Sequence, residues 1–314
     1  MSTPMALIAQ GSFVSDAAAR LIELPSTVDY FVIRNRSTWG TAPTAVVEST
    51  WYRGYAAGQA TTLTEGGGSA LTATAIAAGG AGFTEIDRTN IAPGALVATG
   101  TAITNATPGV VADATSPTVG DVVRMLNTTA MLQIAGLEFT VTAVTPGVNF
   151  TLGYMVGAGY AAAATNADYR IIPNSRYFPR RAWIQNITAA AAAVVSTSTA
   201  HGYAVGSRIT VNNPDANFGM PEIDGLTGTV TAVTANTITT DINSAAFTAF
   251  AYPTSAVAAA GVTHPHVVPF GEVSTILTEA TDNTPLSGMW LDTGVVGANT
   301  NVMDWQAFGR GYTI

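Results

Sequence analysis

Side chains that can exchange protons or carry charge are few in this chain, and their types narrow the chemistry open to it. Its 314 residues hold three His, twenty Asp and Glu, and twelve basic residues, every one of them Arg; Cys and Lys do not occur. Without a thiolate there is no thiol nucleophile, disulfide or Cys-ligated zinc. Without an ε-ammonium there is no Schiff base and no P-loop lysine. His264 and His266 stand two apart in Thr263-His264-Pro265-His266. On a strand they share a face, which is a metal-ligand spacing. Pro265 breaks the ladder, however, and no carboxylate is close in sequence, so a metal-free loop or edge-strand pair is the simpler expectation. His201, in Ala200-His201-Gly202, reads as ordering its own turn through a backbone hydrogen bond. Asp215, Asn217, Glu222 and Asp224 crowd one loop with oxygen ligands suited to Ca²⁺. Phe218 and Gly219 fall where an EF-hand needs other residues, and an Asx-turn explains Asp215 and Asn217. No Gly-x-Ser-x-Gly elbow occurs, and the acids are scattered without an aromatic cleft signature. The expectation is therefore no catalytic residue, no metal and no cofactor.

Arginine offers a different kind of chemistry. Arg170, Arg176, Arg180 and Arg181 fall within twelve positions, interleaved with Tyr169, Tyr177, Phe178 and Trp183. Arg with aromatics is the composition of interface hot spots, and guanidinium pairs bidentately with a neighbour's carboxylates. Arg170, Arg176, Tyr177, Phe178, Arg180, Arg181 and Trp183 are thus the candidate interaction residues. A plain linker, whose arginines satisfy nearby acids and pack on aromatics, competes with that reading. Nucleic acid, engaged by stacking and phosphate pairing, is a third. Pro173 and Pro179 keep the segment out of regular structure.

The bulk composition says what surrounds these residues. Net charge is −8 and charged residues make up 10% of the chain, against about 25% in an ordinary soluble domain. A mean hydropathy of +0.29 comes largely from Ala. The longest apolar run is seven residues, Ala189 to Val195, against about 20 for a spanning helix. No membrane insertion is expected, and the first residues do not read as a signal peptide. An acidic balance disfavours nucleic acid as a main partner. So few charges imply a surface that meets other protein, with a Thr-covered soluble β protein as the alternative.

The elements that must position these groups are strands. Asp29 to Arg34 and Ala45 to Trp51 are rich in aromatic and β-branched residues. Ser15 to Glu23 reads as a short helix or, over Leu21 to Leu24, a strand. Gly66 to Gly68 and Gly79-Gly80 punctuate a region read as loop or short edge strands. An internal repeat is the most informative feature. Ile134 to Thr145 matches Ile223 to Thr234 at nine of twelve positions, and Val119-Gly120-Asp121 matches Val205-Gly206-Ser207 upstream. Gly120 to Gly136 spans 16 residues and Gly206 to Gly225 spans 19, so the second copy carries a three-residue insertion. Thr-Val-Thr-Ala-Val-Thr alternates hydroxyl and apolar residues as a half-buried strand does.

The second copy resembles a module of tailed-phage structural proteins. The matching stretches are Thr199 to Ile209, Gly219 to Gly225, Thr234 to Ile238 and Phe247 to Phe250. That module is similar to the small β-barrel of the first catalytic-cysteine half-domain of ubiquitin-activating enzymes; with no Cys here, the enzyme association does not carry over. The likeness covers Val194 to about Pro253, and more weakly Gly109 to about Met155. Leu7 to Phe13, Val28 to Tyr30, Gly288 to Gly294 and Val302 to Trp305 also resemble phage virion proteins. The resemblance implies a virion component, made in the host cytoplasm, whose partners are its own copies and other virion proteins such as major capsid or tail proteins. A receptor- or glycan-binding tail-fibre module and a virion-associated carboxylate hydrolase are the rival readings.

An all-β architecture is expected, with a base β domain built from both chain ends and two inserted small β-barrel or sandwich repeats. The expected limits are 1–107 and 255–314 for the base, 108–168 and 191–254 for the two modules, and 169–190 for the Arg/aromatic connector.

Overall fold

In a computed structural model, residues 5–24, 28–39, 45–66, 70–86, 96–97, 99–115, 117–128, 131–157, 160, 166–172, 181–258, 261–272 and 288–310 are described. Strands from both ends of the chain pair directly. β1 (Met5–Val14), β22 (Val302–Arg310), β3 (Tyr30–Asn35), β4 (Val46–Tyr52), β5 (Ala60–Gly66) and β6 (Ala70–Ile76) form one antiparallel sheet in that order. A smaller sheet runs β2 (Arg20–Glu23), β21 (Gly288–Leu291), β7 (Phe83–Ile86). Segment 20–23 is therefore a strand, and the Gly-punctuated region carries two seven-residue strands, β5 and β6, longer than its weak pattern predicts. The two sheets bury Phe31, Ile33, Trp51, Phe83, Leu291 and Trp305 between them, and Trp305 stacks on Phe31 at 5.9 Å. Burial of such aromatics is the main stabilising term of this unit. Gly11, opposite Trp305 in the β1–β22 register, has no room for a side chain: a Cβ there lies 2.6 Å from the Trp305 ring and 2.3 Å from the Phe270 carbonyl.

Between these ends the repeat builds one strand order twice, closed in the second copy and open in the first. The second copy closes into a six-stranded barrel: β15 (Ala182–Ile187), β16 (Val194–Thr197), β19 (Thr237–Thr240), β18 (Thr227–Val233), β17 (Arg208–Asn212) and β20 (His266–Pro269). The first runs β8 (Leu96–Val97), β14 (Asp168–Ile172), β11 (Val122–Asn127), β12 (Glu138–Thr145), β13 (Asn149–Leu152), β10 (Gly109–Ala112), β9 (Ala102–Ile103). The orders superimpose, with β10 in the place of β16, β13 of β19, β12 of β18, β11 of β17 and β14 of β20. Where the second copy has the single closing strand β15, the first has the two short strands β8 and β9 at its open ends.

Local geometry repeats too. The Gly120 and Gly206 amides donate to Val141 and Val230 carbonyls, both at 2.8 Å. These glycines take φ of +95° and +88°, a left-handed conformation that a side chain would strain. A one-turn 3₁₀ helix precedes the long strand in each copy, Leu132–Ile134 and Pro221–Ile223. The same register break follows, between Val141 and Ala143 and between Val230 and Ala232. The extra residues of the second copy form a further 3₁₀ turn, Ala216–Phe218, whose Phe218 ring packs on Tyr252, His264 and Phe250.

The strands reach beyond the limits expected from the repeat. The first module extends over 96–172 and the barrel over 182–269, so both ends of the expected connector, 169–172 and 182–187, are strand. The closing strands escape notice because β15 and the β8/β9 pair share no sequence. Among the described residues no helix is long and apolar enough to cross a membrane.

Candidate functional site

Trp183 on β15 lies opposite His266 on β20, which turns its indole toward the first module. There the indole N–H donates to Glu138 Oε2 at 3.1 Å. Glu138 starts β12 directly across from Arg124 on β11, and the Arg124 Nε–H donates to Glu138 Oε1 at 3.0 Å, with Nη2 also in contact. Ser198, just past β16, donates its hydroxyl to the Glu138 carbonyl at 2.6 Å. Burial alone pushes the Glu138 carboxyl up; Arg124, then Arg181, together with the two side-chain hydrogen bonds, holds it below its ordinary value. Arg181 sits 5.0 Å over the Trp183 ring, and its Nη1 is 3.9 Å from Glu23 Oε1 on β2 of the base. One buried chain of charge, Glu23–Arg181–Glu138–Arg124, thus joins all three units.

That placement decides part of the candidate set. Arg181 is 2% exposed and Trp183 1%, so neither offers a surface to a neighbouring subunit. Both hold the modules together inside one chain, because their partners Glu23 and Glu138 are internal. Arg170 lies on β14 across from Arg124 and is half-buried. Arg176, Tyr177, Phe178 and Arg180 lie outside the described residues.

Repeat comparison carries a signal for Glu138 and Arg124 that composition does not. The equivalent pair in the barrel is Thr227 and Thr210, whose hydroxyls meet at 3.3 Å. Where one copy has two hydroxyls, the other has opposite charges at cross-strand positions, marking the face it turns to its sibling.

His264 and His266 do share a face: their rings sit against Trp183 at 6.2 and 5.4 Å. Burial pushes each imidazole down to about 4, so both are neutral near pH 7. His266 lies within the barrel wall rather than on an edge, pairing with β15 and β17. His201 accepts the Tyr203 amide on Nδ1 at 3.0 Å, ordering its turn. The loop carboxylates act as backbone caps: Asp215 takes the Asn217 and Thr263 amides, Asp224 the Asn213 amide, and Glu222 the Thr248 amide and hydroxyl. Among the described residues no three His, Asp or Glu gather as a metal cluster.

On the surface the most unusual element is β6, Ala-Leu-Thr-Ala-Thr-Ala-Ile. Six of its seven side chains are exposed and Ile76 is half-buried. It pairs with β5 along all seven residues and ends the sheet. Leu71 is 61% exposed. Charge, proline and bulge are all absent from it.

No family model, curated protein or solved structure matches the chain.

Proposed function

We propose that this chain is a non-enzymatic structural component of a tailed-phage virion, as capsid decoration, neck or tail protein, held by contacts with its own copies and with other virion proteins. The observation that carries the reading is β6. An edge strand presents a row of unpaired N–H and C=O groups, and monomeric proteins blunt such edges with charge, proline, bulges or a covering element. Lysine, the commonest guard, is absent from the whole chain. A seven-residue uncharged edge fits a molecule whose neighbour supplies the cover. The low overall charge and the resemblance of the barrel to phage structural modules support the same reading.

The test is to image intact particles and locate the chain, with Thr72→Lys/Thr74→Lys as the matched perturbation. Lysines on an edge strand block strand addition and must give up hydration under any cover, so incorporation into particles should fall at least about tenfold, about 1.4 kcal/mol, while the melting temperature holds. Normal incorporation of the variant, or absence of the chain from purified particles, overturns the reading.

One observation favours the tail-fibre reading instead. Trp39 is 54% exposed and lines an open groove with Glu48 and Asp304, the aromatic-and-carboxylate surface that a glycan-binding module needs.

A further inference from the structure

That groove has a second half. Across the six-stranded sheet Ser12, Asp304, Arg34 and Glu48 form one cross-strand row. A hollow of about 430 Å³ adjoins it, lined by Arg34, Arg36, Arg208 and Phe270. The Trp39 part, about 590 Å³, shares Arg34, Arg36 and Asp304 with it. Three of the chain's twelve arginines therefore meet on one face of a molecule whose net charge is −8. Arg34 pairs with Glu48 at 2.8 Å and Arg36 with Asp304 at 3.2 Å. Both carboxylates are thus already engaged, which leaves them poor acceptors for sugar hydroxyls. Arg208 stacks on Phe270 at 4.1 Å and has no carboxylate partner among the described residues. Three guanidiniums against two carboxylates leave the groove with an excess of +1.

The complement to this groove is on the same chain. Arg208 is the only basic residue of the barrel segment 182–269, and it opens β17 beside the base sheet. Four residues further on, about 13 Å at strand rise, β17 runs into the loop that exposes Pro221, Glu222, Asp224 and Leu226. The barrel lines the groove through Arg208, whose cross-strand neighbour Thr229 donates its amide to Asp241; past the other end of β17 it presents acids flanked by apolar side chains. Such a bipolar molecule is self-complementary head to tail, with carboxylates for the guanidiniums and Pro221 and Leu226 for Trp39. Head-to-tail contacts give rings or open filaments rather than closed dimers.

We propose that the groove receives the Glu222–Leu226 barrel end of a second copy. This rests on the assembly reading above. Two charge-reversed proteins test it: Arg36→Glu/Arg208→Glu in the groove and Glu222→Arg/Leu226→Arg on the loop, studied full-length by sedimentation velocity, separately and mixed. Each alone should associate at least about tenfold more weakly than the parent. The equimolar mixture should recover association, because each reversed surface then meets its opposite. Should a reversed protein lose its near-ultraviolet dichroism, Arg208→Gln and Glu222→Gln replace it, each with a several-fold weakening expected. Unchanged association of the single variants, or a mixture as weak as its parts, overturns the groove proposal and leaves assembly through β6 standing. Binding of an oligouronate probe that Arg36→Glu/Arg208→Glu abolishes, with self-association intact, overturns it in favour of a glycan. A parent chain that neither self-associates nor occurs in particles removes the assembly reading itself.

Discussion

Replacing Glu138 by Thr should be among the most damaging single changes to the fold. Glu138 is 1% exposed and serves Arg124, the Trp183 indole and, through space, Arg181. Its loss leaves Arg124 and the interior Arg181 without their shared counter-charge. Removing one member of a buried ion pair typically costs about 3–5 kcal/mol. At roughly 2–4 °C per kcal/mol for a unit of 150–250 residues, the melting temperature should fall by about 10 °C. The barrel supplies the control, since its own version of this pair is Thr210 with Thr227. Arg124→Thr/Glu138→Thr removes both charges of the pair, so the remaining costs are the unpartnered Trp183 N–H, about 1–3 kcal/mol, and the lost attraction to Arg181, which keeps Glu23 at 3.9 Å. The double variant should therefore be more stable than Glu138→Thr alone. Calorimetry or near-ultraviolet dichroism across a thermal ramp measures the parent, Glu138→Thr, Arg124→Thr and the double variant. Strict additivity of the two single costs, or a loss under about 1 kcal/mol for Glu138→Thr, refutes the idea that this pair is a coupled buried junction.

Two further outcomes follow from the geometry. Between pH 6.5 and about 4, His264 and His266 stay neutral when folded but take up protons when unfolded. Stability should thus decline as pH falls through that window, by up to about 3 kcal/mol per histidine. His266→Phe should flatten the slope of melting temperature against pH, and an unchanged slope counts against the burial argument. Glu138, held below its ordinary value, contributes above that value and loses its contribution only at lower pH, as it protonates. Gly120→Ala and Gly206→Ala, at φ of +95° and +88°, should each cost about 1 kcal/mol; a large difference between them in chemical denaturation would contradict the equivalence of the two turns.

Much of the fold was readable because its patterns are local. Thr-Val-Thr-Ala-Val-Thr alternates, the paired glycines mark identical turns, and the duplicated blocks fold identically down to a shared register break. Pairing of the chain ends could be inferred from their shared aromatic texture, and Trp305 does stack on Phe31. A small barrel was expected, but the strands that close it were not legible, since β15 and the β8/β9 pair are chosen by what they pack against rather than by repeat. The strength of β5 and β6 was hidden for a related reason: Ala and Thr on an exposed edge leave no hydrophobic alternation to detect. For the site, composition singles out the cluster of arginine and aromatics but cannot say whether such a cluster faces outward or inward. Arg181 and Trp183 face inward because Glu23 and Glu138, distant in sequence, are waiting there.

The position of β22 has a consequence for biosynthesis. It lies between β1 and β3, registered against both, although nearly the whole chain separates it from them. Until the ribosome has passed residue 310, β1 is cut off from β3 and the strands beyond it, and contacts of such sequence separation form slowly. A polypeptide cut short of β22 therefore has β1 and the β3–β6 strands but nothing to join them: the order of translation makes a late strand the one that unites the sheet.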